Sequence, residues 1–373
     1  LKKFTLIFLV IFLVPSAVAG WVSPEPETIR VALLKGVDSV GLDGIGLLAV
    51  DEKGEPVRES PNYYVTRSKD GNGLLVNGSS IRKLTVTAPV YIKVNGKKYR
   101  GAMELFPSDN GVLVVNDLPL EDYLTGLINC EISSQWPMEA IKAQAVVART
   151  YAVFQKDSHR NSLYDLESTV LDQVYNGCEI EDSRAARGVR ETIGEVLTNN
   201  NSVIQAFYHS NCGGHTESSE NVWGFPFPYL QGVDCSYCLG SQSSRWEQTL
   251  PLSKIESLLG GAGFNVTGLK EIRGGRKNRS GRLVELTLEG ARGRQTISAV
   301  NFRKAIGYTI IKSTNFEVRV VGGSALFNGI GYGHGVGLCQ WGAKQRAADG
   351  FDYREILSYY YPGTRLKRLY SGN

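Results

Sequence analysis

The sequence predicts an α+β fold, a β-hairpin-rich N-terminal part followed by a compact mixed domain, and three observations carry that expectation. Residues 21–116 alternate short runs of Val, Ile, Leu and Tyr with polar residues. These runs are broken by Asp70-Gly71, Asn77-Gly78, Asn95-Gly96 and Asn110-Gly111, dipeptides that suit tight hairpin turns. Residues 137–155 hold the densest helical signal, an Ala-rich run opened by Pro137. No internal repeat or low-complexity linker divides the 373 residues, so one large or two intimate domains are expected after the leader.

The leader is read from Lys2 and Lys3, the apolar run Phe4 to Val14, and the small residues Ser16-Ala17-Val18-Ala19. An apolar core of about ten residues falls short of the roughly twenty that cross a bilayer, and Ala17-x-Ala19 suits a signal peptidase. Residues 1–19 are therefore expected to be a signal peptide cleaved before Gly20, with an uncleaved anchor as the alternative. Residues 20–99 form the β-rich region, and 100–373 the mixed domain. Export places the mature chain in the periplasm or cell envelope. Composition is that of a globular protein, 42% hydrophobic and 21% charged, with a net charge of +4 that fits an anionic partner such as wall polymer. The basic residues are scattered and no helix-turn-helix or aromatic RNA platform is visible, so no nucleic-acid partner is expected.

Along the chain, Tyr91–Val94, Tyr99–Leu105 and Val112–Val115 read as strands, and Leu118 to Leu124 as a short helical turn. In the helix over 137–155, one stripe carries Ile141, Ala145, Ala148 and Ala152 and should face the core. The next carries Lys142 and Arg149, about 10 Å apart on one face. A helix is expected over 183–191 and a hairpin with strands 195–198 and 202–208 about the Asn199-Asn200-Asn201 turn. A strand at 283–288 and helices at 299–306, 342–348 and 353–360 complete the reading.

Chemistry concentrates in three segments. In Asn129-Cys130-Glu131-Ile132-Ser133-Ser134-Gln135-Trp136-Pro137, a carboxylate near an apolar ring is desolvated, so its pKa rises and it can hold a proton for a glycosidic oxygen. The bland alternative is a Glu that caps or salt-bridges the next helix. In residues 207–238, Cys212-x-x-His215 and Cys235-x-x-Cys238 form two pairs with zinc-like spacing, while export favours disulfides; both readings stay open. His209 reads as a strand-end polar residue, with a ligand role as the alternative. In Gly331-Tyr332-Gly333-His334-Gly335-Val336-Gly337, alternating glycines admit a close backbone approach and His334 can donate to a sugar hydroxyl or a carboxylate, with a buried histidine satisfied by backbone as the alternative. The run Tyr359-Tyr360-Tyr361 is read as core, with stacking on sugar rings as the alternative.

Leu118 to Tyr151, LPLEDYLTGLINCEISSQWPMEAIKAQAVVARTY, resembles the sporulation stage II protein D family (the SpoIID/LytB domain). So do the Gly213-Gly214-x-Thr216-Glu217 run and the glycine loop around His334. The resemblance covers residues 100–366. It implies a lytic transglycosylase that cleaves peptide-free peptidoglycan glycan strands, or a non-catalytic wall-binding enhancer of an amidase. It puts Glu131 on the family's catalytic glutamate, and Lys142 and Arg149 on its two basic positions, as substrate binders or, for Arg149, as an ion-pair partner of Glu131. His334 is a substrate binder or a partner of Glu131. A transglycosylase needs one carboxylate where a hydrolase needs two, and no cofactor for its chemistry, so any zinc would be structural. Cys130 and Cys339 depart from the family pattern, and a Cys130–Cys339 disulfide is one expectation.

Overall fold

The computed structural model describes residues 27–371 apart from 170, 171 and 243; the leader read at 1–19 lies outside the described residues. The fold is α+β. Its helices are α1 (Leu120–Glu131), α2 (Met138–Ser158), α3 (Ser183–Glu191), α4 (Ser219–Trp223), α5 (Leu252–Gly261), α6 (Ala299–Ile306), α7 (Gln340–Ala348) and α8 (Tyr353–Tyr360). None is long and apolar enough to cross a membrane.

The N-terminal part forms two six-stranded sheets over one core. The first runs Leu166–Glu167, Thr28–Val37, Gly111–Pro119, Ala102–Ser108, Leu84–Thr87, Leu48–Val50. The second runs Ser79–Ile81, Leu74–Val76, Asn62–Arg67, Ser39–Asp43, Ile92–Val94, Lys97–Tyr99. Asn77 and Asn95 take φ of 45° and 48°, each followed by a glycine at positive φ, which is the double left-handed turn the Asn-Gly pairs predicted. Thr28–Val37 lies antiparallel along Gly111–Pro119, so this sheet runs across residue 99.

Gly111–Pro119 passes straight into α1, which is longer than the turn expected at Leu118–Leu124. Leu120, Tyr123, Leu124, Leu127 and Ile128 follow helical spacing and are all buried. Gly126 in their midst is there for contact: a Cβ would stand 2.7 Å from the Gly177 carbonyl oxygen and 2.8 Å from the Tyr175 ring. Helix α2 then wedges between two cores. Ile141, Ala145, Ala148 and Ala152 enter the first, as expected, while Ala143, Val146 and Val147 enter a second built with α7 and α8. A helix apolar on both sides leaves little room for an exposed cationic stripe.

The hairpin after α3 is shorter than expected. About Asn200 and Asn201, which take φ of 49° and 64°, Glu195–Asn199 meets a return strand of just Ser202–Val203, and its other edge pairs with Arg365–Arg368. The chain then departs, and Tyr208–His209 pairs in parallel with Leu338–Cys339. This two-residue ladder joins the second and third chemical segments. Residues 245–330 form a third core of their own, with α5, α6 and two three-stranded sheets around Phe302, Phe316 and Phe327. The chain enters and leaves that unit at adjacent points, since Arg245 pairs with Ile330.

Candidate active site and cysteine cluster

Glu131 is the last residue of α1, part-buried where the first two cores meet. Burial pushes its carboxyl up from 4.5 to about 7, against hydrogen bonds from the Tyr208 hydroxyl, the Gln340 amide and the Val174 backbone that pull it down. No charged group contributes. The last turn of α1 holds no basic residue, so the partial negative charge of the helix end is left uncompensated beside it. Gln340 Nε2 stands 3.4 Å from both Glu131 Oε2 and Gln144 Oε1. Behind Tyr208 the donors line up: the Tyr123 hydroxyl donates to Gln173 Oε1, and Gln173 Nε2 donates to the Tyr208 oxygen, both at 3.1 Å. The acid is thus held by neutral groups, and no ion pair with it occurs among the described residues.

The two cations predicted beside it are elsewhere. Arg149 is fully buried and grips Glu121, at the opposite end of α1, through Nε and Nη2 at 2.8 and 2.7 Å. Its remaining donors meet the carbonyls of Glu195 and Val189. Glu121 and Glu131 are ten residues apart, about 15 Å along the helix, so Arg149 neither orients Glu131 nor is open to substrate. Lys142 bridges Glu139 and Glu191 at 2.9 and 2.8 Å. The face of α2 that meets the Glu131 network carries Gln144, Ala148 and Tyr151 instead.

His334 sits among Phe207, His209 and Trp223, with ring centroids 6.0, 5.5 and 5.1 Å away. Its Nδ1 accepts the Val336 N–H at 3.1 Å. Burial, reinforced by His209, Arg303 and Arg282, holds its pKa well below 6.5, so it is neutral. No hydrogen bond joins it to Glu131 among the described residues; the Tyr208–Leu338 ladder lies between them. Trp136 pairs with Trp341 at 5.1 Å, and Lys344 lies over both rings at 5.2 and 4.5 Å.

The cysteine cluster differs from the expected ligand set in one member. Cys212, Cys235, Cys238 and Cys339 are buried and place their sulfurs within 4.8 Å of one another. His215 is not among them: its Nδ1 meets the Thr216 carbonyl at 2.5 Å and its Nε2 looks toward Asp234. His209 is not among them either, and its Nδ1 meets the Val336 carbonyl at 3.1 Å. Cys339 is the fourth sulfur, which removes the expected Cys130–Cys339 bridge. Cys130 meets the Gly126 carbonyl and the Asn176 amide instead. Tyr360 and Tyr361 are core residues, the latter donating to the Phe207 carbonyl.

The profile of stage II sporulation proteins matches residues 108–199, which span α1, α2, α3 and the strand after them. An uncharacterized protein of Brachyspira hyodysenteriae is 36% identical over 274 residues, 73% of each chain. The chain belongs to the stage II sporulation protein D family. The family's Bacillus subtilis relative named stage II sporulation protein D is 28% identical over 68% of this chain and 75% of its own length. A Bacillus subtilis protein named amidase enhancer is 31% identical over 65% of this chain, which spans 40% of that longer relative. A second profile, of a domain of unknown function designated DUF8618, matches residues 237–337, close to the limits of the third core.

Sequence reasoning named Glu131 but not its hydrogen-bond partners Tyr208 and Gln340, nor Gln173 and Gln144 behind them. Gln340 and Gln144 stood inside the motifs that carried the resemblance, the glycine loop and the Ala-rich helix. Their polarity on faces due to be buried was the available signal. Gln173 lay in no recognisable pattern.

Proposed function

We propose that this protein is an exported lytic transglycosylase that cleaves peptidoglycan glycan strands freed of their stem peptides. The observation that carries this reading is a single carboxylic acid, Glu131, poised near pH 7 by burial with no charged partner. Held protonated, Glu131 gives its proton to the glycosidic oxygen as the C1–O bond of muramic acid breaks. As a carboxylate, it then takes the proton of the same sugar's 6-hydroxyl while O6 bonds to C1. The product is a 1,6-anhydro-muramic end, no water enters, and Glu131 finishes protonated. Tyr208 and Gln340 steady the carboxylate between the two transfers. A muramic acid without its peptide exposes a lactyl carboxylate. Lys344, one turn from Gln340 and without a carboxylate partner among the described residues, supplies the cation for it that Lys142 and Arg149 do not.

The amidase-enhancer name of one relative favours a second reading, in which the protein binds the wall and stimulates an amidase. Digestion of peptide-free strands separates the two. Wild type is expected to generate anhydro-muramic ends, Glu131→Gln to lose at least about a thousandfold in rate, and Lys344→Gln to raise KM with little change in kcat. Absence of such ends with wild type, together with a faster amidase in its presence, would replace the enzyme by the enhancer.

A further inference from the structure

The four buried sulfurs lie too close together to be explained as packing. Four thiolates around one zinc ion at about 2.3 Å have sulfur–sulfur edges of about 3.8 Å. Here all four fall within 4.8 Å, and Cys212 Sγ is 3.4 Å from Cys238 Sγ. The surroundings are those that thiolates require. The Cys212 N–H points at Cys339 Sγ at 3.3 Å, the Gly342 N–H at the same sulfur at 3.4 Å, and the Tyr360 hydroxyl lies 3.1 Å from Cys235 Sγ. Gly342 cannot be larger, since a Cβ would stand 2.6 Å from Cys235 Sγ and 2.1 Å from the Tyr360 oxygen.

Charge gives an independent observation. Arg282 is fully buried, has no partner for its Nε, and feels negative charge from two directions, first the buried Glu217 carboxylate and then Cys212, Cys339 and Cys238. Its Nη2 donates to the Cys212 carbonyl at 3.0 Å. A guanidinium in that position is costly unless negative charge lies near it. Four thiolates and one divalent zinc carry a net charge of −2, which Arg282, shared with Glu217, offsets in part.

We infer that Cys212, Cys235, Cys238 and Cys339 hold one structural zinc ion, and that this ion clamps the third core and Gln340 to the body of the protein. Cys238 precedes that core by a few residues and Cys339 follows it, so the ion ties both ends of the excursion to Cys212. Cys339 also caps α7 and is the residue before Gln340, so the metal fixes the backbone from which Gln340 reaches Glu131. The zinc assignment is independent of the proposed reaction. Only its bearing on Glu131 rests on that reading.

The test uses the full mature chain. Purified protein is expected to hold one zinc per chain with these four thiols unreactive until a chelator is added. Cobalt substitution is expected to give the intense visible bands of a tetrahedral all-thiolate centre, unchanged in His215→Ala. Arg282→Gln should weaken metal binding about 10–100-fold, as loss of a group supporting the ligands does. Chelation should open residues 239–244 to protease. Metal-free protein whose four cysteines are paired as disulfides would overturn the inference, as would a cobalt spectrum altered by His215→Ala. Neither outcome bears on whether wild type makes anhydro ends.

Discussion

Helix α1 carries a glutamate at each end, and the two have opposite fates. Glu121 meets a buried guanidinium, the Tyr370 hydroxyl and the Gly194 N–H. Glu131 meets only neutral donors and is pushed up to about 7. Residue type and helix are the same; what differs is the side chains that the rest of the fold delivers. Arg149 fastens the start of α1 to α2, and that fastening holds its positive charge at the end of α1 away from Glu131. The basic motif position therefore acts through architecture, tying α1 to α2.

The largest expected effect tests the Glu121 end. Glu121→Leu leaves the Arg149 charge buried and unpaired, so it is expected to cost about 3–5 kcal/mol, read from the denaturation midpoint, with turnover per folded molecule retained. Arg149→Lys losing activity at unchanged stability would instead make Arg149 a substrate ligand and break the comparison. At the other end the sign reverses with pH. A carboxyl whose folded pKa is raised binds more protons folded than unfolded between about 4.5 and 7, so its contribution to stability falls as pH rises through that window. Glu131→Gln should therefore be roughly 1–3 kcal/mol more stable than wild type at pH 8 and nearly equal at pH 4. The smallest effect sharpens the cause. Tyr208 and Gln340 lower the Glu131 pKa, so Tyr208→Phe and Gln340→Leu should each move the alkaline fall of the pH–rate profile upward by up to about one unit.

The local features of this fold were readable because they are written locally. Asn77-Gly78 and Asn95-Gly96 turn as their dihedral needs dictate, and α6 and α8 fall where periodicity and the Asp352–Glu355 capping box put them. The Ala-rich stripe of α2 met the core it pointed to. What failed was long-range. Spacing along α2 put Lys142 and Arg149 on one face, but could not say that a second core would cover that side. Glu121 as the partner of Arg149 is 28 residues away in sequence. Cys339 lies 101 positions beyond Cys238, outside any spacing pattern for metal ligands, and the closer His215 took its place in the reading. The independence of the third core was equally hidden, because its strands and helices look like those on either side.

That third core has a further consequence. A segment that departs and returns at neighbouring points, Ser244 and Gly331, replaces what could be a tight turn in its host, and once folded it adds little closure entropy there. Such a graft is free to be exchanged or lost without disturbing Glu131, on one condition. Arg282 reaches back beneath Cys212, and Asn278 and Ser280 hold the Glu217 carboxylate of the host. Any lineage that discards the graft must therefore also find new company for Glu217 and for the sulfurs, so the cysteines and this appendage should be inherited together.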